Sequence, residues 1–274
     1  MSGLTLLVLP LLACLLLTVI LGYLGLHVLK REVIFIDIAV AQVAALGAIV
    51  AHVFLHVHGD SMEALACAIA ATLAAALFFA LARRWAVQLP IEGIIGITYA
   101  IVAAGALFVI GKSAAGHTHV QEMLTGHLLW VKGGDLGWTA LVFAVAGAAL
   151  VLLREKFQAI SDRHHEASSA EDDAVVLWDF LFYALCGVVI TFAVRLAGVL
   201  VVFCFLIIPA TVSALFAQSW RSRLFIAWGL GAAGSVGGLL FCHGLDFSAG
   251  VSVSLFLGVG LLVASLWNRR AAGL

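Results

Sequence analysis

The sequence predicts an all-α polytopic membrane protein with about eight or nine transmembrane helices, and three observations carry that prediction. The 274-residue chain is 64% hydrophobic and only 11% charged, whereas about a quarter of a soluble domain is charged. Its apolar residues fall in stretches close to the ~20 that a helix needs to cross a bilayer core about 30 Å thick. These stretches are too long and too uniformly apolar for barrel strands, so helices that satisfy their own backbone are the form that lipid allows.

The first stretch, 4–27, lacks the basic flank and small-residue cleavage site of a signal peptide and reads as a true span. The second, 33–57, opens on Phe35-Ile36-Asp37 and ends among His52, His56 and His58. Spans follow at 63–82, 93–111 and 136–153, the middle one introduced by Pro90 and by Glu92, a carboxylate suited to a helix amino end. Between the fourth and fifth spans, 112–135 is a mixed segment; its centre, Val120 to Val131, is too short to cross and predicts a partial or interfacial helix.

Residues 154–174, with His164, His165, Glu166, Glu171, Asp172 and Asp173, read as a cytoplasmic surface linker. The apolar run 176–217 divides at Arg195 into spans 176–194 and 196–217, although no proper loop separates them. Pro209 interrupts the second of these, and the residues after it predict a short, separately oriented helix at the cytoplasmic face. The last spans are 224–242 and 249–267; Gly229, Gly231, Gly234, Gly237 and Gly238 predict a closely packed helix interface. The spans use most of the chain, which leaves one membrane domain over 1–274 and no room for a soluble catalytic domain.

Eleven of the Lys and Arg residues fall in one set of alternate breaks, and only Lys112, Lys132 and Arg195 in the other. The positive-inside rule therefore puts the amino terminus outside and the carboxyl terminus in the cytoplasm. A net charge of −1 argues against a nucleic-acid partner, which needs clustered cations. No GxxxxGK[ST] loop occurs, so active transport would draw on a partner or an ion gradient. Cys14, Cys67, Cys186, Cys204 and Cys242 sit in or beside apolar segments with no metal-ligand spacing, and read as small buried apolar side chains.

Seven histidines fall on the outer side in this topology: His52, His56, His58, His117, His119, His127 and His243. Imidazole is a common ligand for zinc and its neighbours, and His52 and His56 are one helical turn apart. Such a group could collect a divalent cation at a pathway mouth. Asp37 is a carboxylate inside an apolar segment, a placement that marks a pathway or a buried partner such as the nearby Arg31. Asp246 could equally be a helix cap or a ligand.

Arg195-Leu196-Ala197-Gly198-Val199-Leu200-Val201-Val202 followed by Leu206-Ile207-Ile208-Pro209-Ala210-Thr211 resembles the signature of the zinc and manganese ABC-transporter permeases, the ABC-3 or ZnuB-like family. Phe35-Ile36-Asp37, Glu92-Gly93-Ile94-Ile95-Gly96-Ile97 and Leu245-Asp246 with Ser248 and Gly250 agree in order. The resemblance implies a type II ABC importer-like permease acting as a homodimer in the inner membrane. It implies no permanently bound cofactor, ATP hydrolysed on a separate cytoplasmic ABC ATPase, and an extracytoplasmic metal-binding protein that delivers Zn²⁺, or Mn²⁺ in its place.

Carried over by position, Asp37 matches the acidic residue of the family's GDALSHA-type motif. Ile36 stands at its glycine and Ala41 at its histidine, so one expected metal ligand is missing and Gln42 or the outer histidines would have to compensate. The run from Pro209, Ala210 and Thr211 through Gln218 matches the segment expected to press on the ATPase. The implied mechanism is alternating access. A gradient-driven carrier or channel and an ABC permease for a non-metal substrate are the other readings; an intramembrane enzyme lacks a telling nucleophile and base.

Overall fold

A computed structural model of the protein describes residues 7–57, 61–85, 89–110, 128–162, 173–245 and 247–271. These residues form ten α-helices and one short 3-10 turn: α1 Val8–Lys30, α2 Ile36–Leu55, α3 Met62–Trp85, α4 Ile91–Ile110, the turn Leu128–Trp130, α5 Gly133–Leu152, α6 Arg154–Asp162, α7 Asp173–Ala197, α8 Val199–Phe216, α9 Trp220–Leu245 and α10 Ala249–Ala271. Among the described residues nine helices, all but α6, are long and apolar enough to cross a bilayer. The outward faces stay apolar, with Phe108, Leu152 and Trp138 largely exposed, as lipid-facing surfaces require.

The chain divides into two compact units, neither of them one continuous stretch: residues 1–29, 122–148 and 193–274 make the first, and 30–121 with 149–192 the second. In the first unit α8, α9 and α10 pack together. The glycine series of α9 makes that packing possible. A β-carbon at Gly238 would press into the Val253 backbone of α10, and one at Gly237 would stand 2.6 Å from the Phe256 ring. On α1, Gly25 lies so close to α8 that a β-carbon there would collide with the Leu206 carbonyl oxygen. Trp228 of α9 lies over Gly22 and donates its indole N–H to the Val19 carbonyl at 3.1 Å.

In the second unit α2 packs on both α3 and α4. Small residues again set the distance: a β-carbon at Gly47 would stand 2.8 Å from the Cys67 carbonyl oxygen of α3. On α7, Gly187 faces Thr72 of α3 and Val40 of α2.

Three local features depart from the sequence reading. The long run divides at Gly198 rather than Arg195: α7 continues to Ala197, and Gly198 takes φ 84°, a left-handed value that a side chain disfavours. The residues after Pro209 do not form a separate helix, because α8 runs unbroken to Phe216. Proline removes one backbone donor, the one that would reach Phe205, and the buried packing around Pro209 and Ala210 keeps the helix going. The segment 154–174 is not wholly linker: its first half is α6, whose Phe157 is buried edge-on against Trp178 and Phe182. Of the partial helix expected over Val120 to Val131, the 3-10 turn Leu128–Trp130 lies in the described residues and the part before Leu128 lies outside them.

Candidate functional site

Asp37 lies in the first turn of α2 and is 1% exposed. Neither carboxylate oxygen has a side-chain hydrogen-bond partner. The amides of Asp37 and Ile38, free at the start of a helix, are its polar company. Arg31 does not pair with it. The Arg31 guanidinium is fully buried, donates from Nη1 to Asp179 Oδ1 at 2.6 Å and from Nε to Ser161 Oγ at 2.9 Å, and lies 4.0 Å from the centre of the Phe182 ring.

Asp179 also accepts from Arg83 Nη1 at 2.7 Å, so one buried carboxylate of α7 serves two arginines, from the α1–α2 corner and from α3. The trio carries one excess positive charge. Lys30 with Asp162, and Arg84 with Asp173, form more exposed pairs beside it. The two basic doublets thus tie α3, α6, α7 and the α1–α2 corner together within the second unit. Asp179 was not singled out from sequence, although a carboxylate inside an apolar span carries the same warning as Asp37.

The outer histidines do not gather at Asp37. His52 is fifteen residues along α2 from it, roughly 22 Å at about 1.5 Å per residue. Both His52 and His56 are exposed, but they do not share a helical face: α2 stops at Leu55, and His56 turns left-handed with φ 55°. His52 Nδ1 instead donates to the Val57 carbonyl at 2.6 Å, closing the helix end. His243 is exposed in the last turn of α9. Gln42 is half-buried next to Ala41, which is itself buried. His58, His117, His119 and Asp246 lie outside the described residues. Among the described residues, no three His, Cys, Asp or Glu side chains converge as a metal cage.

The predicted coupling residues form a stiff corner. Pro209 and Ala210 are buried, Thr211 is half-buried and Gln218 is exposed. Past Phe216 the chain turns within three residues into α9. Ser219 Oγ accepts from the Ser222 amide as an N-cap, and Arg223 Nε donates back to the Ala217 carbonyl at 2.9 Å. The corner is therefore held on both sides by its own side chains, and it carries an exposed glutamine.

Comparison with known proteins supplies the context for this arrangement. The family model "ABC 3 transport family" matches residues 4–268. A Chlamydia pneumoniae relative named "Probable metal transport system membrane protein" is 23% identical over 180 residues, 65% of this chain and 61% of its own length. A Streptococcus parasanguinis relative, the manganese import system permease protein ScaB, is 25% identical over 170 residues, 62% of this chain and 60% of that protein. The chain thus spans about three fifths of these relatives' length. Among solved structures, PsaBC from Streptococcus pneumoniae in complex with Fab aligns over 94% of this chain and 90% of that one, with a TM-score of 0.75 and 21% identity. That likeness shows the fold.

Proposed function

This chain belongs to the ABC 3 transport family, and on that premise we propose that it is the permease subunit of an ATP-driven importer of a divalent metal ion, zinc or manganese. It is a multi-pass membrane protein and a transport subunit rather than an enzyme. In this reading it works as a homodimer in the inner membrane. A separate cytoplasmic ABC ATPase supplies the energy, and an extracytoplasmic metal-binding protein supplies the ion. The names of the relatives, a manganese import permease and a metal transport protein, support the metal as cargo.

The observation that carries the reading is Asp37. A carboxylate buried in an apolar span with no side-chain partner is costly, and such groups persist where they bind a substrate ion or proton. A cation arriving there would find a negative charge and two free acceptor oxygens. The binding stays weak enough for release because few protein groups surround the ion, unlike a closed structural site. Exposed His52 and His56 would serve an earlier step, receiving the ion from the binding protein at the other end of α2. The corner at Ala217–Ser219 would take the push from the ATPase. Its capped geometry hands that push to α8 and α9, and α8 hands it to α1 through the Gly25–Leu206 contact. Alternating access then follows as helices repack around the site.

The test is metal accumulation in metal-starved cells lacking the gene, restored with wild type, with Asp37→Asn, or with wild type in the absence of the ATPase. Wild type should restore zinc or manganese, and both other cells should fail. Restoration by Asp37→Asn at the wild-type level, with normal expression, would refute the role given to Asp37. Accumulation without the ATPase would favour a gradient-driven carrier.

A further inference from the structure

The family histidine that would stand beside Asp37 is Ala41 here, yet Asp37 is as buried as a ligand would be. The facing helix offers another donor. Gly187 of α7 approaches Val40 of α2, its β-carbon position lying 3.7 Å from Val40 Cγ1. That contact sets two helix faces against each other by the i, i+3, i+4 spacing. On α2 the face is Asp37, Val40, Ala41 and Ala44; on α7 it is Tyr183, Cys186, Gly187 and Ile190. All of these positions are buried.

Each of the two faces carries unsatisfied polar atoms. Both Asp37 oxygens and the Tyr183 hydroxyl are buried without hydrogen-bond partners. The Cys186 thiol is 1% exposed and interacts electrostatically with the Asp37 carboxylate and with the Arg31 guanidinium. Native interiors leave few such atoms unpartnered, and each asks for an occupant.

We propose that Cys186 is a second ligand, beside Asp37, for the divalent ion that this chain moves, and that it takes the place vacated at Ala41. The inference rests on the importer reading above. It also narrows the cargo: a thiolate with a carboxylate suits zinc and its softer neighbours better than manganese, which prefers oxygen donors. On binding, the sulfur–hydrogen bond is exchanged for a sulfur–metal bond, and the proton leaves with the water that the ion sheds. No oxidation state changes. A divalent ion held by one carboxylate and one thiolate is neutral overall, which suits the apolar surroundings. The excess positive charge of the Arg31–Asp179–Arg83 trio keeps the grip from becoming permanent.

The decisive experiment adds Co²⁺ alone to the purified permease–ATPase complex and records the near-ultraviolet sulfur-to-cobalt charge-transfer band. Wild type should show it. The variant with Cys14, Cys67, Cys204 and Cys242 all replaced by serine should keep it, and Cys186→Ser should lose it. A wild-type complex without the band overturns the proposal, whether or not any variant folds. So does loss of the band in the four-serine variant, or its survival in Cys186→Ser. In metal-starved cells, Cys186→Ser should lower zinc accumulation about 10-fold or more, the scale seen when groups supporting a metal site are removed. If Asp37→Asn abolishes accumulation and Cys186→Ser leaves it intact, the ligand assignment falls and the importer reading stands. If neither variant changes accumulation, both ligand assignments fall; if wild type itself restores no metal, the importer reading falls.

Discussion

Replacing Asp179 by asparagine tests the ionic core of the second unit. The carboxylate is 1% exposed and receives hydrogen bonds from a guanidinium that is 0% exposed and from another that is 13% exposed. Neutralising it removes the carboxylate that both guanidinium groups share; Arg31 keeps its bond to Ser161 and the face of Phe182. Breaking a buried pair by removing one partner costs about 3–5 kcal/mol. The neighbouring pairs offer an internal scale. Lys30–Asp162 and Arg84–Asp173 have carboxylate side chains 44% and 86% exposed, and such pairs contribute about 0–1 kcal/mol. In thermal melts of the detergent-solubilised protein, a chain of this size loses about 2–4 °C per kcal/mol. Asp179→Asn should therefore melt roughly 6–20 °C below wild type, and Asp162→Asn and Asp173→Asn within a few degrees of it. A companion, Arg31→Met with Arg83→Met and Asp179→Leu, should recover most of the loss, because the cost lies in the unpaired buried charge. Equal melting of Asp179→Asn and Asp162→Asn would refute the reasoning.

Three further outcomes follow from the geometry. Gly25→Ala puts a β-carbon against the Leu206 carbonyl oxygen and 3.0 Å from its carbon, so it should cost about 1–3 kcal/mol or more in stability, whereas Gly229→Ala, with open space around it, should be neutral in the same melt. His52→Ala with His56→Asn, the asparagine chosen because it tolerates the left-handed backbone at position 56, should lower uptake at scarce metal while leaving assembly intact; unchanged uptake would remove these histidines from ion capture. A cysteine placed at exposed Gln218 should crosslink to the partner ATPase in a nucleotide-dependent way, and a failure to crosslink in any nucleotide state would move the coupling contact elsewhere.

The fold was legible because the bilayer imposes a length on apolar segments, and nine such lengths stand in the sequence as nine helices stand among the described residues. Punctuation was less legible. Gly198 ends a helix through backbone conformation while Arg195, the charged neighbour, stays inside it, so charge was the wrong marker for a break buried between two apolar runs. Pro209 looked like a stop because its missing donor would be punished in water-exposed helix, but α8, packed against α1, continues through it. In α6 the one aromatic is Phe157, whose burial rests on Trp178 and Phe182 twenty-odd residues away.

The candidate site was half legible for the same reason. Asp37 announced itself because a lone carboxylate breaks an apolar pattern within its own helix. Cys186 did not, because a cysteine blends into such a pattern, and only the approach of Gly187 to Val40 brings its face onto that of Asp37. Spacing along one helix finds donors that share a segment; a glycine that lets two helices meet finds those that do not. If the chain has exchanged a ligand across that contact, the two positions are coupled, and Ala41→His should restore zinc accumulation to Cys186→Ser while doing little for Asp37→Asn. Rescue of both variants alike would mean that position 41 acts by packing and not as a ligand, and would separate the histidine's loss from the presence of the thiol.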